Sequence, residues 1–202
     1  MTHTRRWTAA TAAVALAAGL AACGEAEKTS PKAGDDVLTN TASYGWATSK
    51  DVGALFTTGL TVSEVAQGPI IIEDVDPVLE GDVLDLDGQG VRVLNESQQG
   101  QGFQELPEWP PKAKSRQEWD LFGGLQGDGN YEVPAPVNGK PAVLHVLLGY
   151  KVLKKGRGVQ RGVWVTYRHN GAQKKAFLGS YLAVCAPASE KCSKEGPKGE
   201  EK

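Results

Sequence analysis

Sulfur and imidazole ligands are scarce in this chain: 202 residues contain three cysteines and three histidines. A zinc site needs four such ligands held close together, and outside the first 23 residues only Cys185, Cys192, His145 and His169 remain, with the histidines isolated from the cysteines and from each other. Excess charge of either sign is absent too. Lys and Arg number 22 against 24 Asp and Glu, so there is no basic footprint for nucleic acid. No Gly-rich loop opens a helix, which removes the phosphate-cradling motifs. No segment between residues 37 and 190 carries an apolar stripe at i, i+3, i+4, i+7 bounded by caps, so a helical domain is excluded. An uninterrupted apolar run of the roughly 20 residues that a membrane-crossing helix requires is also missing.

What is there begins with the first 23 residues. Arg5 and Arg6 form a positive region, and an alanine-rich apolar stretch with Val14, Leu16 and Leu20 runs up to Cys23. The four residues Leu20, Ala21, Ala22 and Cys23 resemble the lipobox of bacterial lipoproteins, in which small residues admit the signal peptidase and the cysteine sulfur takes a diacylglyceryl group. The resemblance covers these 23 residues only. It implies that residues 1–22 are a cleaved signal peptide, that Cys23 is lipidated, and that the protein sits on the extracytoplasmic face of the cell membrane. A single acyl chain anchors marginally, at about 0.8 kcal/mol per buried methylene, whereas two chains hold stably. Residues 24–36 are small and charged, without apolar periodicity, and read as a flexible tether. Residues 193–202 offer nothing to bury and read as a disordered tail. With Cys23 given to lipid, Cys185 and Cys192 are the remaining thiols, and export to an oxidising compartment predicts a disulfide between them.

The intervening residues 37–192 suit one domain with a full core. Their strongest pattern has period two. Leu144, Val146, Leu148, Tyr150 and Val152 form an apolar face, while His145, Gly149 and Lys151 fall on the alternate face, which predicts a strand with one side in the core. Val159, Val163, Val165 and Tyr167 repeat the pattern, His169-Asn170-Gly171 supplies a tight turn, and Lys174 to Cys185 is the expected return strand. Leu84, Leu86, Val91 and Val93 around Gly88-Gln89-Gly90 predict a second hairpin. Ile70 to Ile72 after Gly68-Pro69, and Leu55 to Val65, predict two further strands. The expected fold is all-β: a β-sandwich of about seven strands, with the immunoglobulin-like arrangement as the commonest solution at this size, and one long loop.

Candidate chemistry is thin. Aligning Asp85, Asp87 and Gly88 to an EF-hand loop places Val83 first and Leu94 twelfth, where oxygen ligands are required. The acidic cluster Glu80, Asp82, Asp85 and Asp87 is therefore read as a solvated face, with a different kind of calcium site left open. Ser180 lacks the second glycine of a nucleophile elbow and lies on a predicted strand. His169 is expected to be a turn residue and His145 to lie on a polar strand face. The basic run Lys151, Lys154, Lys155, Arg157 and Arg161 is expected to be a solvated loop, with contact to an anionic wall polymer or lipid headgroup as the rival. No catalytic, metal or cofactor site is assigned.

Asn95 to Gly129 has no clear strand pattern, and loops of that length are uncommon in compact domains unless functional or disordered. It carries Trp109, Trp119 and Phe122, which are offered as partner-binding residues; the alternative is that the rings staple the loop to its own sandwich. The reading is of a membrane-tethered, non-enzymatic interaction module of the cell envelope, held by lipid at Cys23 and facing an envelope protein or wall component. A small extracellular hydrolase or modifier of wall polymers, and a purely structural envelope protein, are the alternatives.

Overall fold

β-branched and aromatic residues at alternating positions build extended strands, because such side chains pack well on a pleated, half-buried surface. A computed structural model describes residues 37–43, 45–94, 103–111 and 130–194. Among these there is no helix and there are ten strands: β1 (Leu38–Ser43), β2 (Gly45–Ser49), β3 (Leu55–Val65), β4 (Ile70–Glu80), β5 (Leu84–Leu94), β6 (Phe103–Leu106), β7 (Tyr131–Val133), β8 (Ala142–Val152), β9 (Gly156–His169) and β10 (Ala172–Ala186). Cys23, the tether at 24–36 and residues 195–202 lie outside the described residues.

The strands form two five-stranded sheets, consistent with a β-sandwich. The first runs β1-β3-β8-β5, with β6 sharing the β3 edge with β1. The second runs β2-β10-β9-β4-β7 and is antiparallel except where β2 lies parallel to β10. β1 and β2 are separated by residue 44 alone yet belong to different sheets, so the chain changes layer there. The Val93 amide of β5 donates to the Tyr131 hydroxyl of β7 at 3.3 Å, joining one edge of each sheet.

Between the sheets, Phe56, Leu144, Val146, Leu148, Tyr150 and Val152 meet Ile70, Ile72, Val75, Val163, Val165, Tyr167, Leu178, Leu182 and Val184. The interior also contains a polar chain. The Tyr150 hydroxyl donates to Gln160 Oε1 at 2.8 Å, Gln160 Nε2 donates to Ser180 Oγ at 2.7 Å, and Thr61 Oγ1 donates to the same oxygen at 2.8 Å. Tyr150 and Thr61 belong to the first sheet and Gln160 and Ser180 to the second, so a relative slide of the layers would strand buried polar atoms at about 1–3 kcal/mol each. Burial raises the Tyr150 pKa well above the usual tyrosine value.

Four expectations need correction. Leu84 to Leu94 is one continuous strand, not a hairpin, because Gly88 serves close packing in place of a turn. β8 is buried on both faces: Val143, His145 and Leu147 lie under cover on the side away from the core. The near-continuous apolar run Ala142-Val143-Leu144 and Val146-Leu147-Leu148 was the signal for that. His169 is the last residue of β9, and Asn170 and Gly171, with φ of 50° and 78°, make the turn alone. Within the long segment, residues 103–106 form β6, so the described part of it is not all loop.

Candidate functional site

Strand alternation sends one set of β9 and β10 side chains into the core and the other set outward. The two-residue turn at Asn170-Gly171 pairs His169 with Ala172, and counting back along the hairpin sets Trp164 opposite Phe177. Their ring centroids are 5.2 Å apart and tilted by 59°. The Lys175 ammonium lies 5.3 Å from the centre of the Trp164 ring, and the Arg161 guanidinium lies 5.2 Å from that of Tyr181. All three rings are half-buried on the outward face of the second sheet. Gly162, with φ of +151°, faces Gly179 across the ladder, and a Cβ at Gly162 would come within 2.6 Å of Phe177 Cζ. The ring tip therefore rests over a position that only glycine leaves open.

Charges of both signs border the rings. Arg161 forms a 2.9 Å ion pair with Glu80, which holds the Glu80 carboxyl below its usual pKa and raises Arg161, the shared hydrogen bond being the main cause in both cases. Arg168 and Gln173 both reach Glu73. Asp76 stands opposite Trp164 on β4, and Asp74 accepts from Gln89 Nε2 at 3.3 Å. Arg157 Nη2 donates to the Tyr181 hydroxyl at 2.6 Å, and that hydroxyl donates to the Lys194 carbonyl at 2.6 Å. Ser193 and Lys194, expected to be part of a free tail, are thereby held against β10. Among the described residues the arrangement is a half-exposed aromatic strip edged by charges of both signs. Chemically it can stack on a flat apolar surface and hydrogen-bond around it.

The first sheet's outward face is closed. The Trp109 indole lies across two paired glycines: a Cβ on Gly149 would meet its Cδ2 at 2.0 Å, and one on Gly88 would meet its Nε1 at 2.3 Å. Trp109 is 6% exposed. The Thr57 hydroxyl holds the neighbouring Glu108 carbonyl. Trp119 and Phe122, grouped with Trp109 in the sequence, lie outside the described residues. Next along this face His145, fully buried, uses both ring nitrogens: Nε2 meets the Gly59 carbonyl and Nδ1 accepts from Arg92 Nε at 3.0 Å. Burial is the chief cause that pushes the His145 pKa down to about 4, and burial likewise lowers Arg92 to about 10. The expectation of His145 on a polar strand face is thus corrected, whereas Ser180 lies on a strand as expected and is enclosed in the interior polar chain.

Cys185 and Cys192 are bonded, with Cα atoms 5.4 Å apart. The loop of six residues between them is fastened to the end of β2: Lys50 N donates to the Cys185 carbonyl at 2.9 Å and Ala188 N to Asp51 Oδ1 at 3.1 Å. Loop-closure entropy makes so small a ring worth about 2 to 3 kcal/mol. Reduction is therefore expected to speed amide exchange in β2 before it unfolds the domain, and uniform acceleration across all strands would contradict this.

The acidic cluster does not converge. Glu80 goes to Arg161 and Asp82 to Lys154, whose hydrogen bond is the main cause that lowers the Asp82 pKa. Among the described residues no three His, Cys, Asp or Glu side chains are placed to share a metal ion. The basic run is dispersed as well: Lys151 is the penultimate residue of β8 in the first sheet, while Arg157 and Arg161 flank Tyr181 on the second.

Comparison with protein-family models and with curated proteins finds no match for this chain. The aromatic strip was not assigned from sequence. Its signal lay in the outward parity of Trp164, a large apolar residue on a strand face otherwise occupied by Thr166 and Arg168.

Proposed function

We propose that this protein is a lipid-anchored, extracytoplasmic interaction module of the cell envelope, with the outward face of β9 and β10 as its contact surface. The observation that carries the reading is the open row of Trp164, Phe177 and Tyr181 with its bordering ion pairs. Aromatic and arginine side chains of this kind supply most of the energy in recognition surfaces. The lipobox-like Leu20 to Cys23 and the Cys185–Cys192 bond both suit an exported protein in an oxidising compartment. A hydrolytic role would call for an acidic pair or a histidine in a pocket, whereas His145 spends both nitrogens on Gly59 and Arg92, and Glu80 and Asp82 turn to separate partners, Arg161 and Lys154.

Two results test the reading. Cys23→Ser is expected to move the full chain from the membrane fraction to the soluble exported fraction, and continued membrane association would refute the anchor. The immobilised chain is expected to retain an envelope component, and Trp164→Ala is expected to abolish that retention while leaving the melting temperature within a few degrees. Retention unaffected by Trp164→Ala would remove this face as the contact surface.

A further inference from the structure

We infer that the ring-bearing face of the second sheet binds an uncharged, unbranched glycan strand; this rests on the reading of that face as the contact surface. Three observations point to this chemistry. The first is shape. Trp164 and Phe177 form one cross-strand pair, and Tyr181 follows on β10 within the bulge between Gly179 and Leu182, roughly 10 Å further along the sheet at about 3.3 Å per residue of β9. Strands β9 and β10 have neighbours on both sides within the sheet, so the rings stand on a firm floor, bordered among the described residues by the Lys175 and Arg161 side chains and, beside Tyr181, by Ser193 and Lys194. A strip of that form fits a polymer lying along it better than a small ligand, which needs enclosure.

The second is the gap between the rings. Gly162 and Gly179 face each other there and raise no side chain of their own, and the Phe177 ring leans low over Gly162, so the ring itself continues the floor between Trp164 and Tyr181. A pyranose ring presents a face of axial C–H groups that packs on an aromatic plane, and a low floor lets successive sugars follow one another.

The third is charge. Arg157, Arg161, Arg168 and Lys175 border the strip together with Glu73, Asp74, Asp76 and Glu80. A polyanion would meet the β4 carboxylates, and a polycation would meet the β9 guanidinium groups. A ligand with no net charge and hydroxyls around its rim is served by both signs and by the Gln173 amide, since carboxylates accept and guanidinium groups donate.

The test is titration of the full chain, extracted from membranes in mild detergent, with N-acetylglucosamine oligomers and with glucose oligomers of increasing length, using poly(glycerol phosphate) as the anionic comparison. The expected result is affinity for at least one neutral series that rises with length and changes little with salt. Trp164→Ala and Tyr181→Ala should each weaken it roughly tenfold, about 1.4 kcal/mol, with unchanged circular dichroism, and Trp164→Phe should restore most of the loss. Absence of binding to both neutral series would overturn the inference. So would binding to poly(glycerol phosphate) alone with steep salt dependence, or glycan binding that survives both aromatic replacements. If envelope retention depends on Trp164 but neither neutral series binds, the contact surface stands and the glycan is wrong. If neither depends on Trp164, both readings fall.

Discussion

Trp109→Ala is expected to lower stability by about 3–5 kcal/mol, the range for removing a buried indole that its surroundings cannot refill. The ring spans Gly88 and Gly149, so its loss would open the floor of two adjacent strands in one step. A reciprocal change sharpens the test. Gly149→Ala places a Cβ where the indole now lies and should cost about 1–3 kcal/mol in the natural chain, as overpacking does. In a Trp109→Ala background the same change should cost little, because its obstacle is gone; the two effects are therefore strongly non-additive. Chemical denaturation of the four proteins measures the coupling. A Trp109→Ala chain that melts like the parent and instead loses envelope retention would transfer the residue from staple to contact surface, with consequences for Trp119 and Phe122 beside it in sequence.

The second large effect is on acid stability. In the unfolded chain His145 titrates near its ordinary value of 6.5, whereas in the fold its pKa is about 4. Between those values the unfolded state takes up a proton that the native state refuses, so stability is full above pH 6.5 and falls as the pH drops toward 4. The loss amounts to about 3 kcal/mol at 1.36 kcal/mol per unit. The structural cause is plain: protonation would destroy the acceptor that Arg92 uses and set two buried cations side by side. His145→Gln can still donate to the Gly59 carbonyl and accept from Arg92, and it does not titrate. The expected result is a flatter stability profile between pH 6.5 and 4 for the variant. Parallel profiles for the two proteins would mean that His145 is not the titrating group.

Local rules read directly from the residues account for much of the scaffold. The alternation in β8 and β9 and the Asn170-Gly171 turn were legible because each depends on neighbours close in the chain: pleat parity has period two, and positive φ suits Asn and Gly. Leu55 to Val65 likewise appears as β3 with the expected ends. The cysteine pair followed from count, together with the expectation of export. The aromatic strip lay within reach, since a two-residue turn determines that Trp164 opposes Phe177, but pairing alone does not tell which outward face stays open.

The same residues misled wherever their partner is remote in sequence. Gly88 resembles a turn glycine until Trp109, twenty-one positions later, is laid over it. His145 resembles a solvated residue until Arg92 and the Gly59 carbonyl close around it from β5 and β3. Sequence by itself determined the all-β class, the central hairpin and the disulfide, because these obey short-range geometry or simple counting. Only the tertiary structure decided which sheet face is sealed and which is left open, because burial of an outward strand face depends on what another part of the chain places upon it.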